Sequence, residues 1–232
     1  MTARLVCLPF GGAGASFFRP WSALAGDRLE VVPVQLPGRE RQIDLDPYTD
    51  VHEAVDGLLP GLLAELGPDP RVVLFGHSLG AVLAYEFAHR LLAVPGVELL
   101  RLVVSGSPAP GVRRELTATG LADDDEFLAR VKQIAGYTHE ALDDPEMREL
   151  ILPTLRADVE MHESYVPSTE EPLAAPVTAV RGADDALVSA DEAAGWAKVT
   201  GRDFELVEVP GGHMYLTDSA PVLLDLIDST VH

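Results

Sequence analysis

Arg71-Val72-Val73-Leu74-Phe75-Gly76-His77-Ser78-Leu79-Gly80-Ala81-Val82-Leu83-Ala84-Tyr85 is the stretch on which the fold turns. Arg71 to Phe75 is short, apolar and β-branched, which predicts a buried strand. Leu79 to Leu92 is rich in Ala and Leu and predicts a helix. Between them stands Gly76-x-Ser78-x-Gly80. That pattern alone is common. Placed between a strand and a helix it becomes a nucleophile elbow, a strained turn that tolerates only small residues two before and two after the serine. The serine oxygen then projects above the sheet edge, near the positive end of the following helix. Ser78 is therefore the candidate nucleophile of a hydrolase.

Outward from this turn, short apolar runs alternate with amphipathic stretches, the pattern of a parallel sheet covered by helices. Further strands are expected at Leu5 to Pro9, Glu30 to Gln35, Leu99 to Ser105, Val177 to Arg181 and Phe204 to Val209. Pro33 argues against a central position for the second of these. Val51 to Leu66 has helical spacing, with a break or kink expected at Pro60-Gly61. A last helix is expected from about Ala220 to Ile227. One region interrupts the alternation. About Leu116 to Tyr165 contains no good strand, is charged and helical in pattern, and carries Asp123-Asp124-Asp125-Glu126 at a helix start, where acids suit the dipole. An insertion of helices between two sheet strands is expected to form a lid over a site.

The chain has 232 residues, with 17 basic against 37 acidic, for a net charge of −20. Such a surface repels phosphate backbones and anionic bilayers, so neither nucleic acid nor membrane is an expected partner. The one cysteine, Cys7, permits no internal disulfide, which fits a reducing cytoplasm. The N-terminus lacks the pattern of a signal peptide, and no window has the run of apolar residues a membrane span needs. A cytoplasmic monomer is the default expectation.

A serine hydroxyl needs a base to attack. In a chain built around this elbow the order is serine, acid, histidine. Only His213 and His232 lie well beyond the insertion, and His232 is the last residue. His213 follows Gly211-Gly212, after a strand, and is the expected base. His77 is expected to point away from the serine, and His52 and His89 to cap helices or face solvent. His139 and His162 fall in the insertion, within reach of a substrate. The acid is expected after the strand Val177 to Arg181, where Asp184 and Asp185 are adjacent. Asp185 fits better, since hydrolases of this type often show Gly-x-x-Asp-x-x-Val, matched by Gly182, Asp185 and Val188. The oxyanion requires preorganised N–H donors. One is expected from Leu79, and the second from the glycine loop Phe10-Gly11-Gly12-Ala13-Gly14, with Gly11 preferred and Gly12 the alternative. That loop lacks the Lys-Ser/Thr of a phosphate-binding loop. No H-E-x-x-H or Cys/His cluster supports a metal, no cofactor is called for, and Cys7 reads as a small core residue.

Several signatures now combine. Leu8-Pro9-Phe10-Gly11-Gly12-Ala13-Gly14-Ala15-Ser16-Phe17-Phe18-Arg19-Pro20-Trp21, Gln35-Leu36-Pro37-Gly38-Arg39-Glu40, Gly76-His77-Ser78-Leu79-Gly80-Ala81, Leu155-Arg156-Ala157-Asp158 with Glu163 and Tyr165, and Gly211-Gly212-His213-Met214-Tyr215-Leu216 together resemble the type II thioesterases. Those are the free-standing editing enzymes of polyketide and nonribosomal peptide synthesis. Phe10, Gly11 and Ala186 stand where that family often has His, Ala and Pro. The resemblance implies an α/β-hydrolase fold in one domain over residues 1–232, with the helical lid at about 116–165. It also implies a substrate, an acyl thioester on the phosphopantetheine arm of an acyl or peptidyl carrier protein. An esterase or acyltransferase for small free molecules would use the same triad. Carrier proteins are usually acidic, so docking would need a local basic patch, for which Arg19, Arg39 and Arg41 are candidates.

Overall fold

The computed structural model describes residues 2–112, 117–135 and 140–231. Six strands form one sheet in the order β2-β1-β3-β4-β5-β6, and every neighbouring pair is parallel. They are β1 (Ala3–Leu8), β2 (Leu29–Pro33), β3 (Arg71–His77), β4 (Glu98–Ser105), β5 (Val177–Gly182) and β6 (Phe204–Val209). Seven α-helices lie among the described residues: α1 (Arg19–Ala25), α2 (Val51–Leu66), α3 (Leu79–Leu92), α4 (Asp124–Ala135), α5 (Pro145–Ser164), α6 (Ala190–Ala194) and α7 (Ala220–Ser229). This is the expected α/β-hydrolase architecture.

Side-chain alternation assigns the strands to two layers. In β3, Val72 and Leu74 join α2 and α3 in one core, while Val73 and Phe75 join α1 and α7 in the other. Both faces of a parallel sheet are thereby covered, which explains strands apolar at every position. Pro33, which cannot donate to a ladder, ends the edge strand β2, as expected. The expected break at Pro60-Gly61 is absent, and α2 runs unbroken from Val51 to Leu66. Val51, Ala54 and Val55 before the proline, and Leu62 and Leu66 after it, are all buried in the same core. Anchoring on both sides offsets the hydrogen bond that Pro60 removes.

The chain moves one way from β1 to β2 and then crosses back to place β3 on the other side of β1. At such a reversal the loops leaving β1 and β3 diverge and open a crevice at the carboxyl ends of the strands. Helices α4 and α5 cover it and carry a small core of their own, including Ala118, Phe127, Val131, Leu152 and Leu155. Asp123 accepts from the Glu126 N–H and Asp144 from those of Glu146 and Met147, so an aspartate caps the start of each helix. Leu116 and His139, both assigned to the insertion, lie outside the described residues, as does His232.

Candidate active site

Ser78 sits between β3 and α3 with φ +53° and ψ −116°, a left-handed conformation for a residue bearing a side chain. The flanking glycines explain how the turn closes. A Cβ on Gly76 would lie 1.9 Å from the Gly80 carbonyl oxygen, and a Cβ on Gly80 would lie 2.4 Å from that of Leu8. The turn is therefore folded against itself and against the end of β1. The Ser78 N–H donates to the Ser105 carbonyl at 2.9 Å, tying the elbow to the end of β4. Leu79 begins α3, and a first-turn N–H has no intrahelical acceptor.

His213 and Asp185 come together. The His213 Nδ1 lies 2.9 Å from Asp185 Oδ2, while Asp185 Oδ1 accepts from the Leu187 and Val188 N–H groups at 2.8 and 3.2 Å. Burial by itself raises the Asp185 carboxyl pKa, but the bond and charge of His213 and the two backbone donors outweigh it and hold the group below its ordinary value. Asp184 is exposed, and Asp185 is buried. The supporting loops meet backbone to backbone. A Cβ on Gly182 would lie 2.4 Å from the carbonyl oxygens of both Gly211 and Gly212, and the Asp184 N–H donates to the Gly211 carbonyl at 2.9 Å. Arg181, buried at the end of β5, donates to the carbonyls of Val188 and Asp185 at 3.0 and 3.1 Å and pairs with Glu208. It clamps the acid loop, a role with no local signature in the sequence.

His77 is fully buried beneath this site, its ring centroid 4.9 Å from that of His213. Its Nδ1 lies 2.8 Å from the Ser105 hydroxyl, which is also bonded to the Tyr215 hydroxyl. Burial first, and the neighbouring His213 second, push its pKa well below the ordinary value. His77 is thus a neutral floor under the site. His52 reaches the Val166 carbonyl at 2.9 Å. His89, near the end of α3, is half-buried and packs edge-on against Tyr85 rather than standing free in solvent.

Ser78, Leu79, Gly11, Gly12 and His213 line one cavity of about 730 Å³, together with His162 and, from the overlying helices, Val131, Ile134, Leu150, Ile151, Leu155 and Val159. The lining is mostly apolar, with Phe10, Phe17 and Met214 on the sheet side and the aliphatic residues of α4 and α5 above, while Thr154, Asp158, His162 and Glu163 of α5 add polar groups to the upper wall. The Gly12 N–H donates to Asp158 Oδ2 at 2.7 Å, so this alternative oxyanion donor is already engaged. Arg39 is not a surface charge. It is buried and bonds the Asp158 carboxylate through both terminal nitrogens, at 2.7 and 2.6 Å. It leaves the basic patch suggested by the sequence, because its charge is consumed inside. Arg19 and Arg41 remain exposed, on the wall of a separate groove. No helix among the described residues is long and apolar enough to cross a membrane.

Comparison with known proteins gives a consistent result. A family model described as "Thioesterase domain" matches residues 3–231. The Gramicidin S biosynthesis protein GrsT of Aneurinibacillus migulanus is 32% identical over 224 residues, covering 97% of this chain and 87% of that protein. Thioesterase PikA5 of Streptomyces venezuelae is 36% identical over 218 residues, covering 93% of this chain and 76% of that one. Among solved structures, the type II thioesterase BorB from the borrelidin biosynthetic cluster superposes with a TM-score of 0.85 at 32% identity, covering 100% of this chain and 92% of that chain.

Proposed function

The chain belongs to the thioesterase family, and we propose that it is a type II, serine-dependent member. It hydrolyses acyl groups from the phosphopantetheine arm of acyl or peptidyl carrier proteins, clearing stalled or aberrant chains in polyketide or nonribosomal peptide synthesis. The observation that carries this reading is the 2.9 Å contact between His213 Nδ1 and Asp185, with His213 and Ser78 on the wall of one apolar cavity.

Ser78 attacks the thioester carbonyl while His213 takes the hydroxyl proton. Asp185 fixes the imidazole orientation and stabilises its positive charge. The Leu79 and Gly11 N–H groups receive the oxyanion as the carbonyl becomes tetrahedral. Collapse breaks the C–S bond, and His213 delivers its proton to the departing thiolate. A water then loses a proton to His213, attacks the acyl-serine and releases the carboxylic acid, and the proton returns to Ser78. Helices α4 and α5 act as the lid, and the chain works as a monomer. No metal or cofactor is required for these steps. The exposed Arg19 and Arg41 are candidate contacts for an acidic carrier.

The test is incubation of the protein and its Ser78→Ala variant with a panel of acyl-loaded carrier proteins, read by mass spectrometry. Wild type is expected to release the acyl group, and the variant to be slower by several orders of magnitude. Release by Ser78→Ala at the wild-type rate would end the proposal. A clear preference for simple esters over carrier-bound thioesters would favour an esterase for small free substrates.

A further inference from the structure

We infer that Asp158, on the covering helix α5, is a positioning residue for the oxyanion loop. It lies 146 positions from Gly12 in sequence and is 1% exposed. Its Oδ2 accepts from the Gly12 N–H at 2.7 Å and from Arg39 Nη1 at 2.7 Å, and its Oδ1 accepts from Arg39 Nη2 at 2.6 Å. Arg39 Nη1 also donates to the Ala13 carbonyl at 2.9 Å, and the Ala13 N–H donates to the Phe10 carbonyl at 2.9 Å. One turn earlier on α5, the Thr154 hydroxyl donates to the Gly38 carbonyl at 2.6 Å.

These bonds fix the loop peptide by peptide. The Ala13-to-Phe10 bond holds the peptide that carries the Gly11 N–H. Asp158 holds the next peptide through Gly12, and Arg39 holds the one after Ala13. None of the bonds consumes the Gly11 N–H itself. Gly12 has φ +80°, so the loop adopts a conformation open chiefly to glycine and needs an external partner to keep it single-valued. A buried ion pair is a poor device for stability alone, because well-packed apolar residues serve as well. Its backbone bonds on both sides of the loop point instead to geometry. A donor displaced by about 1 Å loses much of its value at the transition state, and substrate binding barely registers it.

The inference rests on the reading in which Ser78 attacks and Gly11 receives the oxyanion. Wild type and Ser78→Ala are therefore compared first on an acyl thioester. Equal rates would remove that reading, whatever Asp158 does. With serine-dependent turnover established, Asp158→Asn and the double variant Arg39→Met/Asp158→Leu are assayed. Active sites are titrated with a serine-directed phosphonate, so that kcat counts folded sites only. Asp158→Asn is expected to lower kcat roughly tenfold to a hundredfold with KM within about threefold, a partial form of losing one oxyanion donor. The double variant removes both charges together, so it is expected to lose less melting temperature than Asp158→Leu alone, which strands the Arg39 charge, while losing kcat at least as severely as Asp158→Asn. Wild-type kcat in either variant, or a defect confined to KM or to melting temperature, would overturn the inference.

Discussion

Replacing Gly76 by alanine probes the elbow itself. The new Cβ would stand 1.9 Å from the Gly80 carbonyl oxygen, 2.2 Å from its carbonyl carbon and 2.7 Å from the Ala81 nitrogen. All three are backbone atoms, so no side chain can swing aside. To restore even the closest ordinary approach, the strand and the helix start must separate by roughly 1 Å. Gly80 cannot follow freely, since a Cβ placed there would already overlap the Leu8 carbonyl oxygen at 2.4 Å. Overpacking of this kind typically costs about 1–3 kcal/mol, and this instance should fall at the upper end. For a chain of this size that lowers the melting temperature by roughly 5–10 °C. The same displacement moves the Ser78 oxygen and the Leu79 N–H, and about 1 Å of misplacement costs on the order of a hundredfold in kcat. The matched control is Gly61→Ala on the exposed side of α2, where a Cβ meets nothing within 4 Å. It should raise stability by about 0.5–1 kcal/mol and leave kcat unchanged. Thermal unfolding and steady-state hydrolysis of an acyl thioester decide the matter. A Gly76→Ala protein with wild-type kcat and a melting temperature within a degree of wild type would refute the packing argument.

Other outcomes follow from the same contacts. Asp185→Asn should lower kcat by about 10³–10⁴-fold, and Asp184→Asn should lower it by less than about twofold, because only Asp185 meets His213; equal effects would contradict the assignment. His77 is held neutral in the fold, whereas the unfolded chain protonates it below its ordinary value of 6.5. Stability should therefore fall with decreasing pH below 6.5, with His77 contributing up to about 1.4 kcal/mol per pH unit. Urea unfolding at several pH values should show this slope reduced in His77→Gln. Glu163 accepts from the Ala118 and Thr119 N–H groups at 2.7 and 2.8 Å. Glu163→Ala leaves a buried donor unpaired and should cost about 1–3 kcal/mol in denaturant unfolding.

The parts of the molecule set by local chemistry were legible in the sequence. The β3–elbow–α3 unit could be read because its strand, its glycines and its helix each announce themselves within a few residues. His213 could be read from chain order, with a glycine pair and a strand before it. The local Gly182-x-x-Asp185-x-x-Val188 pattern favours Asp185 over Asp184, but adjacent residues on a turn differ in which one faces inward, and that depends on how the loops of β5 and β6 interlock, which the sequence shows only through such a pattern. Arg39 looks like part of a basic docking patch in the sequence for a related reason. Its partner is 119 residues away on α5, and nothing near Arg39 signals that the charge is buried. Gly12 presented the same difficulty, since its N–H is claimed by that same distant carboxylate. Pro60 misled in the opposite direction. Its local signal is real, but burial on both sides of it in α2 outweighs one missing hydrogen bond.

Cys7 lies on β1 with no exposed surface, and burial raises its thiol pKa well above the ordinary value. A protonated, enclosed thiol reacts slowly with maleimides and disulfide reagents. Since it is the only cysteine in the chain, the natural sequence is already a blank background for thiol chemistry. A cysteine introduced at the exposed Leu150 of α5 or Leu24 of α1 would be labelled almost alone, without first removing a native residue. With a cysteine at both sites, a fluorophore on one and a quencher on the other would then report whether the helix over the cavity moves during a single turnover.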